Sequence, residues 1–420
     1  MTGSMKLWGT VRKQMTDIDN RIRGEFPLLM RDKTIYLDNA ATTQKPRCVI
    51  DAEADFYTSR NANPMRGLYD LSLAATEIYE KARAKAASFV NASRPEEIIF
   101  TRNATESINL VAYSYGLHNI KSGDEIIVSI AEHHSNFLPW KNVADMTGAR
   151  VIYWDCEPDG TLDPDELDRL ITDRTVLVAV TQVSNVLGRI NDIAAIAAKA
   201  HAAGAVLVCD GAQSVPHMSV DVRALDVDFF AFSGHKMYAP MGIGVLYGRY
   251  GLLDEMPPFL YGGEMIESVT RDRTVFAEVP HKFEAGTVNA AGAAGLLAAM
   301  EYMEGYGMDL IAERESGLTR YCFDEMCRIP GISILGSQKS EEHHGIIAFK
   351  VDGVHPHDVT AILSDAGIAV RAGHHCAQPL HRHLGIMSST RVSFSFYNNK
   401  DEVDTFVKVL SQVRHRMGIN

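Results

Sequence analysis

The chain has 420 residues, too many for one ordinary core, so two domains are expected. Hydrophobic residues make up 46% and charged residues 22%, the balance of a water-soluble globular protein. Lys and Arg number 41 against 53 Asp and Glu, a net charge of −12, which argues against nucleic acid or an anionic membrane as the main partner.

Residues 1–15 lack the apolar centre of a signal peptide. No apolar run approaches the roughly 18–20 residues that span a bilayer. Six cysteines are too sparse for a disulfide scaffold, and Cys322 and Cys327 point in different directions on one helix. A reducing compartment follows, and a cytoplasmic location is expected.

From Ile35 to about Leu246, short apolar runs alternate with Ala-rich helical stretches. Strands are expected at 97–100, 125–128, 151–154, 176–180, 205–209 and 227–232, and helices at 74–90, 136–147 and 192–203. That alternation means βαβ units, hence an α/β fold with a mostly parallel sheet flanked by helices. Residues 257–287 read as irregular, a helix is expected at 290–304, and strands at 346–351 and 393–396 belong to a smaller α+β unit. The expected division is an N-terminal segment 1–30 packing with the small domain, a large domain 31–289 and a small domain 290–420.

Two strand ends carry chemistry. The run ending at Cys209 is followed by Asp210, and the run ending at Phe232 by Ser233-Gly234-His235-Lys236. Open α/β sheets bind ligands beyond such ends. An acid and a lysine there suit pyridoxal 5'-phosphate (PLP): the amine bonds the aldehyde, and the carboxylate keeps the ring nitrogen protonated. Thr101 to Ser107 follows a strand and opens a helix, where free N–H groups favour a phosphate. A simple Thr/Ser capping box is the alternative. His133, in Glu132-His133-His134-Ser135-Asn136, can stack on a pyridine ring and serve as an acid/base, or else simply cap. Cys376 sits in a Gly- and Pro-bounded loop beside Arg371, His374 and His375, electropositive neighbours that favour the nucleophilic thiolate. Metal binding by His374, His375 and Cys376 competes, though adjacent residues seldom converge on one tetrahedral ion.

Taken together, Asp210-Gly211-Ala212-Gln213, Ser233 to Lys236, Glu132 to Asn136, Phe283 to Thr287 and Arg371 to Pro379 resemble the SUF-type (group II) cysteine desulfurases. These are fold-type I PLP enzymes of the class V aminotransferase family. The resemblance runs from about Phe26 to the C-terminus, and Leu37 to Pro46 and Val183 to Gly188 also match in order. It implies a seven-stranded sheet and the conversion of L-cysteine to L-alanine with a persulfide on Cys376, feeding iron–sulfur cluster assembly. Selenocysteine lyase activity is an expected side reaction.

The resemblance further implies that Lys236 holds PLP and moves protons, Asp210 pairs with the ring nitrogen, Gln213 contacts the ring hydroxyl and His133 stacks on the ring. Ala104, Thr105, Ser233 and His235 hold the phosphate, with Thr287 reaching in from the second subunit of a homodimer. Asn185 and Arg391 bind the substrate carboxylate, with Arg371 nearby. His357 would meet a sulfur-acceptor protein of the SufU or SufE type. Met65 and Tyr69 stand where the family usually has histidines, and Val288 replaces its usual proline. Rival readings are another PLP reaction, such as epimerisation or kynurenine cleavage, and a catalytically weakened carrier or scaffold.

Overall fold

The computed structural model describes residues 19–419. Residues 1–18, which include the stretch read above for a signal peptide and more than half of segment 1–30, lie outside the described residues. Among the described residues, seven strands form the main sheet. Their order is Ile98–Thr101, Gly244–Gly248, Phe229–Ser233, Val206–Asp210, Thr175–Thr181, Glu125–Ser129 and Arg150–Trp154. All pairings are parallel except those of Gly244–Gly248, which runs against both neighbours. The short return after Lys236 allows only that direction, because a parallel neighbour needs a longer crossover. All six strands expected in this part are present, and the expected mostly parallel sheet is the observed one.

The central strands are buried on both faces, as parallel sheets covered by helices require. Leu207, Cys209, Phe230 and Phe232 enter one core, while Val208, Phe229 and Ala231 enter the other. That split is the two-residue alternation of a strand. Each fully buried phenylalanine contributes about 1.5–3 kcal/mol, so the strand ends carrying Asp210 and Ser233 are firmly placed. The expected helices appear as Asp70–Phe89, Leu138–Thr147 and Ile193–Ala202, the last capped by Asp192, which accepts from Ala195 N at 3.1 Å.

The smaller sheet is antiparallel, in the order Ile332–Ile334, Ile346–Val351, Ser389–Ser393, Arg371–Gly373. Its own apolar core includes Phe323, Phe349, Val359 and Phe406, contributed by the sheet and by helices Met308–Met326, Pro356–Asp365 and Lys400–Leu410. The strand expected at 393–396 lies at Ser389–Ser393 instead. Its ladder ends where Ile346 pairs with Ser393, and Phe396 then turns into an aromatic cluster with Phe26, Tyr238 and Tyr302. Residues 257–287, read as irregular, contain a short hairpin of Ile266–Val269 and Thr274–Phe276.

Two features tie the sheets together. Ile35–Tyr36 pairs with Ile368–Ala369, and Leu37 is buried in the smaller core. The helix Ala290–Tyr306, at the start of the expected small domain, packs on helices Arg47–Asp55 and Asp70–Phe89 and shares the main-sheet core. No helix of the described residues is long and apolar enough to cross a membrane.

Candidate active site

A cleft of about 290 Å³ opens at the ends of Val206–Asp210 and Phe229–Ser233. The start of helix Ala104–Leu110 and the segment leading from Arg371 to Cys376 close it from two other sides. Of the residues selected from sequence, Ala104, Thr105, His133, Asn185, Asp210, Ser233, His235, Lys236, Arg371, Cys376 and Arg391 line this one cleft. Three do not. Gln213 is buried behind it, its Nε2 donating to Ala40 O at 2.8 Å. Thr287 lines a separate depression with Arg102 and Glu106. His357 is exposed near the start of helix Pro356–Asp365, 5.0 Å from the His355 ring between centroids.

Asp210 is 4% exposed, and its Oδ1 accepts from Ala212 N at 2.9 Å. Burial raises its pKa, with the positive charge of Lys236 working against that rise. The turn after Asp210 needs glycine, since a Cβ on Gly211 would meet the Phe230 ring at 1.9 Å. Burial also lowers the Lys236 pKa to about 8; Asp210 opposes this and Arg391 adds to it. A lysine so poised holds or releases a proton near neutral pH.

At the helix start, Asn103 is the cap, accepting from Glu106 N at 3.0 Å. This replaces the Thr/Ser capping box considered from sequence, because Glu106 turns back to Arg102 instead. Ser233 Oγ accepts from Ala104 N at 2.9 Å, joining the strand end to the helix start. Gly244 makes that approach possible, since a Cβ there would lie 2.5 Å from Asn103 Cα. His235, on the same wall, has its pKa lowered to about 4 by burial and by Lys236 and Lys45.

His133 accepts Ser135 N–H at Nδ1 (3.1 Å), which leaves the proton of the neutral ring on Nε2. Burial, Lys236, His134 and Arg391 lower its pKa to about 3. The preceding Glu132 fixes this turn from within, accepting from Thr181 N and Asn136 Nδ2 at 2.7 Å each.

Arg371 and Arg391 stand directly opposite on neighbouring strands, normally an unfavourable like-charge pair. Asp38 resolves it. Arg371 donates to both Asp38 oxygens at 2.9–3.2 Å, and Arg391 NH2 donates to Oδ1 at 3.2 Å. Sequence reasoning did not single out Asp38, because the strand before it has only two residues and shows no periodicity. Arg391 is 3% exposed and also donates to Asn185 O at 2.9 Å.

The cysteine loop is exposed at Cys376, and His375 and Cys376 both take left-handed backbone angles, φ 50° and 55°. Asn185 Nδ2 holds His375 O at 2.8 Å. His375 Nε2 lies 3.0 Å from Ser389 Oγ, whereas His374 Nδ1 accepts from Cys376 N, so these side chains diverge rather than meet at one metal ion.

Four histidines in largely desolvated sites, of which only His375 is fully buried, give the fold a pH dependence. His133, His235, His344 and His375 have pKa values lowered to about 3, 4, 4 and 2, mainly by burial. Below about pH 6.5 the unfolded chain binds protons that the folded one refuses, so stability falls with pH. At pH 5 each contributes about 2 kcal/mol of destabilisation relative to pH 7. Buried Glu132 and Asp210, whose pKa values are raised, act in the opposite sense but are fewer. Urea unfolding at the two pH values is expected to show a lower midpoint at pH 5; equal midpoints would refute the neutral-histidine assignment.

The residues present fit PLP. Asn185 Oδ1, Gln213 Oε1 and Arg391 Nε are buried without a hydrogen-bond partner among the described residues, beside a shielded acid, a lysine amine and a helix start. Such a set suits a planar anionic group with a basic ring nitrogen.

Residues 35–406 match the class-V aminotransferase family. A cysteine desulfurase of Serratia proteamaculans is 46% identical over 403 residues, covering 95% of this chain and 98% of its own. The crystal structure of the Escherichia coli cysteine desulfurase CsdA is 41% identical with a TM-score of 0.89, covering 95% and 98% of the two chains. The apo structure of a cysteine desulfurase from Thermococcus onnurineus gives 41% and 0.90, covering 94% and 97%. The chain therefore belongs to the class-V aminotransferase family, as a PLP-dependent enzyme of fold type I whose relatives are cysteine desulfurases.

Proposed function

We propose that this chain converts L-cysteine to L-alanine and takes the sulfur onto Cys376 as a persulfide, in the manner of the SUF-type enzymes, to supply iron–sulfur cluster assembly in the cytoplasm. The observation that carries this reading is the Cys376 thiol on an exposed loop, lining the same cleft as the Lys236 amine and the Arg371–Arg391 pair.

PLP, when bound, supplies the electron sink for C–S cleavage. Lys236 would anchor it and move the substrate proton. Asp210 would keep its ring nitrogen protonated, Gln213 would reach toward its hydroxyl with the unpartnered Oε1, and neutral His133 would stack on it without adding charge. Ala104, Thr105, Ser233 and His235 would hold its phosphate, completed by Thr287 of a second copy in a homodimer. Arg391 and Asn185 grip the substrate carboxylate beside Arg371. The Cys376 thiolate is placed to attack the substrate sulfur, forming the S–S bond as the C–S bond breaks, and the bound cofactor would take up the released electron pair. Selenocysteine is a second substrate in this reading, because selenolate leaves more readily. Residues 31–289 bind the cofactor and 290–420 deliver the cysteine loop, with helix Ala290–Tyr306 as the joint.

PLP-loaded protein given L-cysteine and a thiol reductant is expected to yield alanine and sulfide in equal amounts. Racemised cysteine, or sulfide without alanine, would point to another PLP reaction. The acceptor, of SufU or SufE type, is read to meet exposed His357, whose helix packs beside strand Arg371–Gly373. His357→Ala is expected to lower acceptor-stimulated turnover about fivefold with basal turnover unchanged. Unchanged stimulation would remove His357 from that role.

A further inference from the structure

The cysteine loop holds two consecutive non-glycine residues in left-handed backbone, an arrangement that costs free energy unless its surroundings impose it. Part of the restraint is internal: Ala377 N donates to His374 O at 2.8 Å and Cys376 N to His374 Nδ1 at 3.2 Å. From outside, Asn185 and Ser389 hold His375, and His134 holds the Cys376 side of the loop at two points. His134 N donates to Cys376 O at 2.7 Å, and His134 Nε2 accepts from Gln378 N at 3.2 Å. Its ring lies 5.7 Å from the His374 ring and 6.4 Å from the His133 ring, between centroids. His134 thus grips the loop at Cys376 and again two residues later, while its neighbour His133 lines the cleft.

We propose that His134 is a positioning residue for sulfur transfer, seating the cysteine loop over the cleft by accepting the Gln378 N–H at its imidazole and donating its own main-chain N–H to the Cys376 carbonyl. This rests on the reading of Cys376 as the sulfur acceptor. The chemistry requires a neutral ring with its proton on Nδ1, the opposite tautomer to His133, whose Nδ1 is the acceptor. Burial and the neighbouring His374 lower the His134 pKa, which keeps that acceptor available. The main-chain half of the grip survives substitution, so the imidazole half can be tested alone. A glutamine side chain places a carbonyl oxygen about where Nε2 lies and retains the acceptor, whereas leucine fills similar space without one.

The test compares wild type, His134→Gln and His134→Leu as PLP-loaded proteins, by hydrogen–deuterium exchange and by persulfide formation in a single turnover. In His134→Leu, exchange at the Gln378 amide is expected to speed up about fivefold to tenfold, the equivalent of one hydrogen bond. Exchange in strand Val206–Asp210 should stay unchanged, which establishes that the variant is folded. Persulfide formation is expected to fall by a similar factor with KM for L-cysteine unaltered, and His134→Gln should restore both readouts. Unchanged Gln378 exchange in His134→Leu would overturn the inference. So would faster exchange with a normal persulfide rate, or a His134→Gln variant that behaves like His134→Leu. Wild-type protein that forms no persulfide would instead sink the reading of Cys376, while the exchange comparison would still report on the grip.

Discussion

Replacing Lys236 with alanine is expected to lower alanine formation from L-cysteine by about 10²–10⁴-fold, the usual contribution of a positioned acid/base. Lys236 lines the same cleft as Asp210, and burial brings its pKa down to about 8, within reach of proton exchange at neutral pH. Asp210 remains in the variant, so its proposed pairing with the ring nitrogen would be retained and the cofactor would still bind through its proposed phosphate contacts. The loss should therefore appear in kcat more than in KM, together with loss of the visible absorption of lysine-bound PLP. A variant within tenfold of wild type would show that another group moves the proton.

Cys376→Ser is expected to have the second large effect, and a selective one. The hydroxyl is far less nucleophilic toward sulfur than a thiolate and cannot carry a persulfide, so L-cysteine turnover should fall to background. Cys376 lies on the exposed loop and is not among the residues read to hold the cofactor, so PLP content should be unchanged. Selenocysteine cleavage should survive in part, because selenolate needs less help in leaving. Alanine release from L-cysteine above about a tenth of the wild-type rate, roughly 1.4 kcal/mol of barrier, would mean that the thiol is not the sulfur acceptor.

The site was legible where chemistry sits at the end of a regular element. Asp210 and Ser233 end strands whose apolar runs are unmistakable, so the cleft beyond them followed from the parallel-sheet rule. Cys376 stood out by the composition of its loop. Asp38 did not, because its role comes from two arginines brought opposite each other by a strand pairing far along the chain. The grip of His134 was equally hidden, since it depends on meeting residue 378 at the start of helix Gln378–His383, far along the chain. The shift of the last small-sheet strand to Ser389–Ser393 has a similar origin: aromatic residues after it look like strand but pack where the ladder has already run out. Local pattern reveals which residues are buried, and tertiary contact decides what they touch.

In the proposed reaction, sulfur leaves the substrate and lands on one thiol. Mass spectrometry of the Cys376 peptide, taken after PLP-loaded protein meets one equivalent of L-cysteine without reductant, tests it most directly. The added mass of one sulfur atom is expected on Cys376 and none on the other five cysteines, with one alanine released. Alanine released in full while Cys376 remains an unmodified thiol would contradict it.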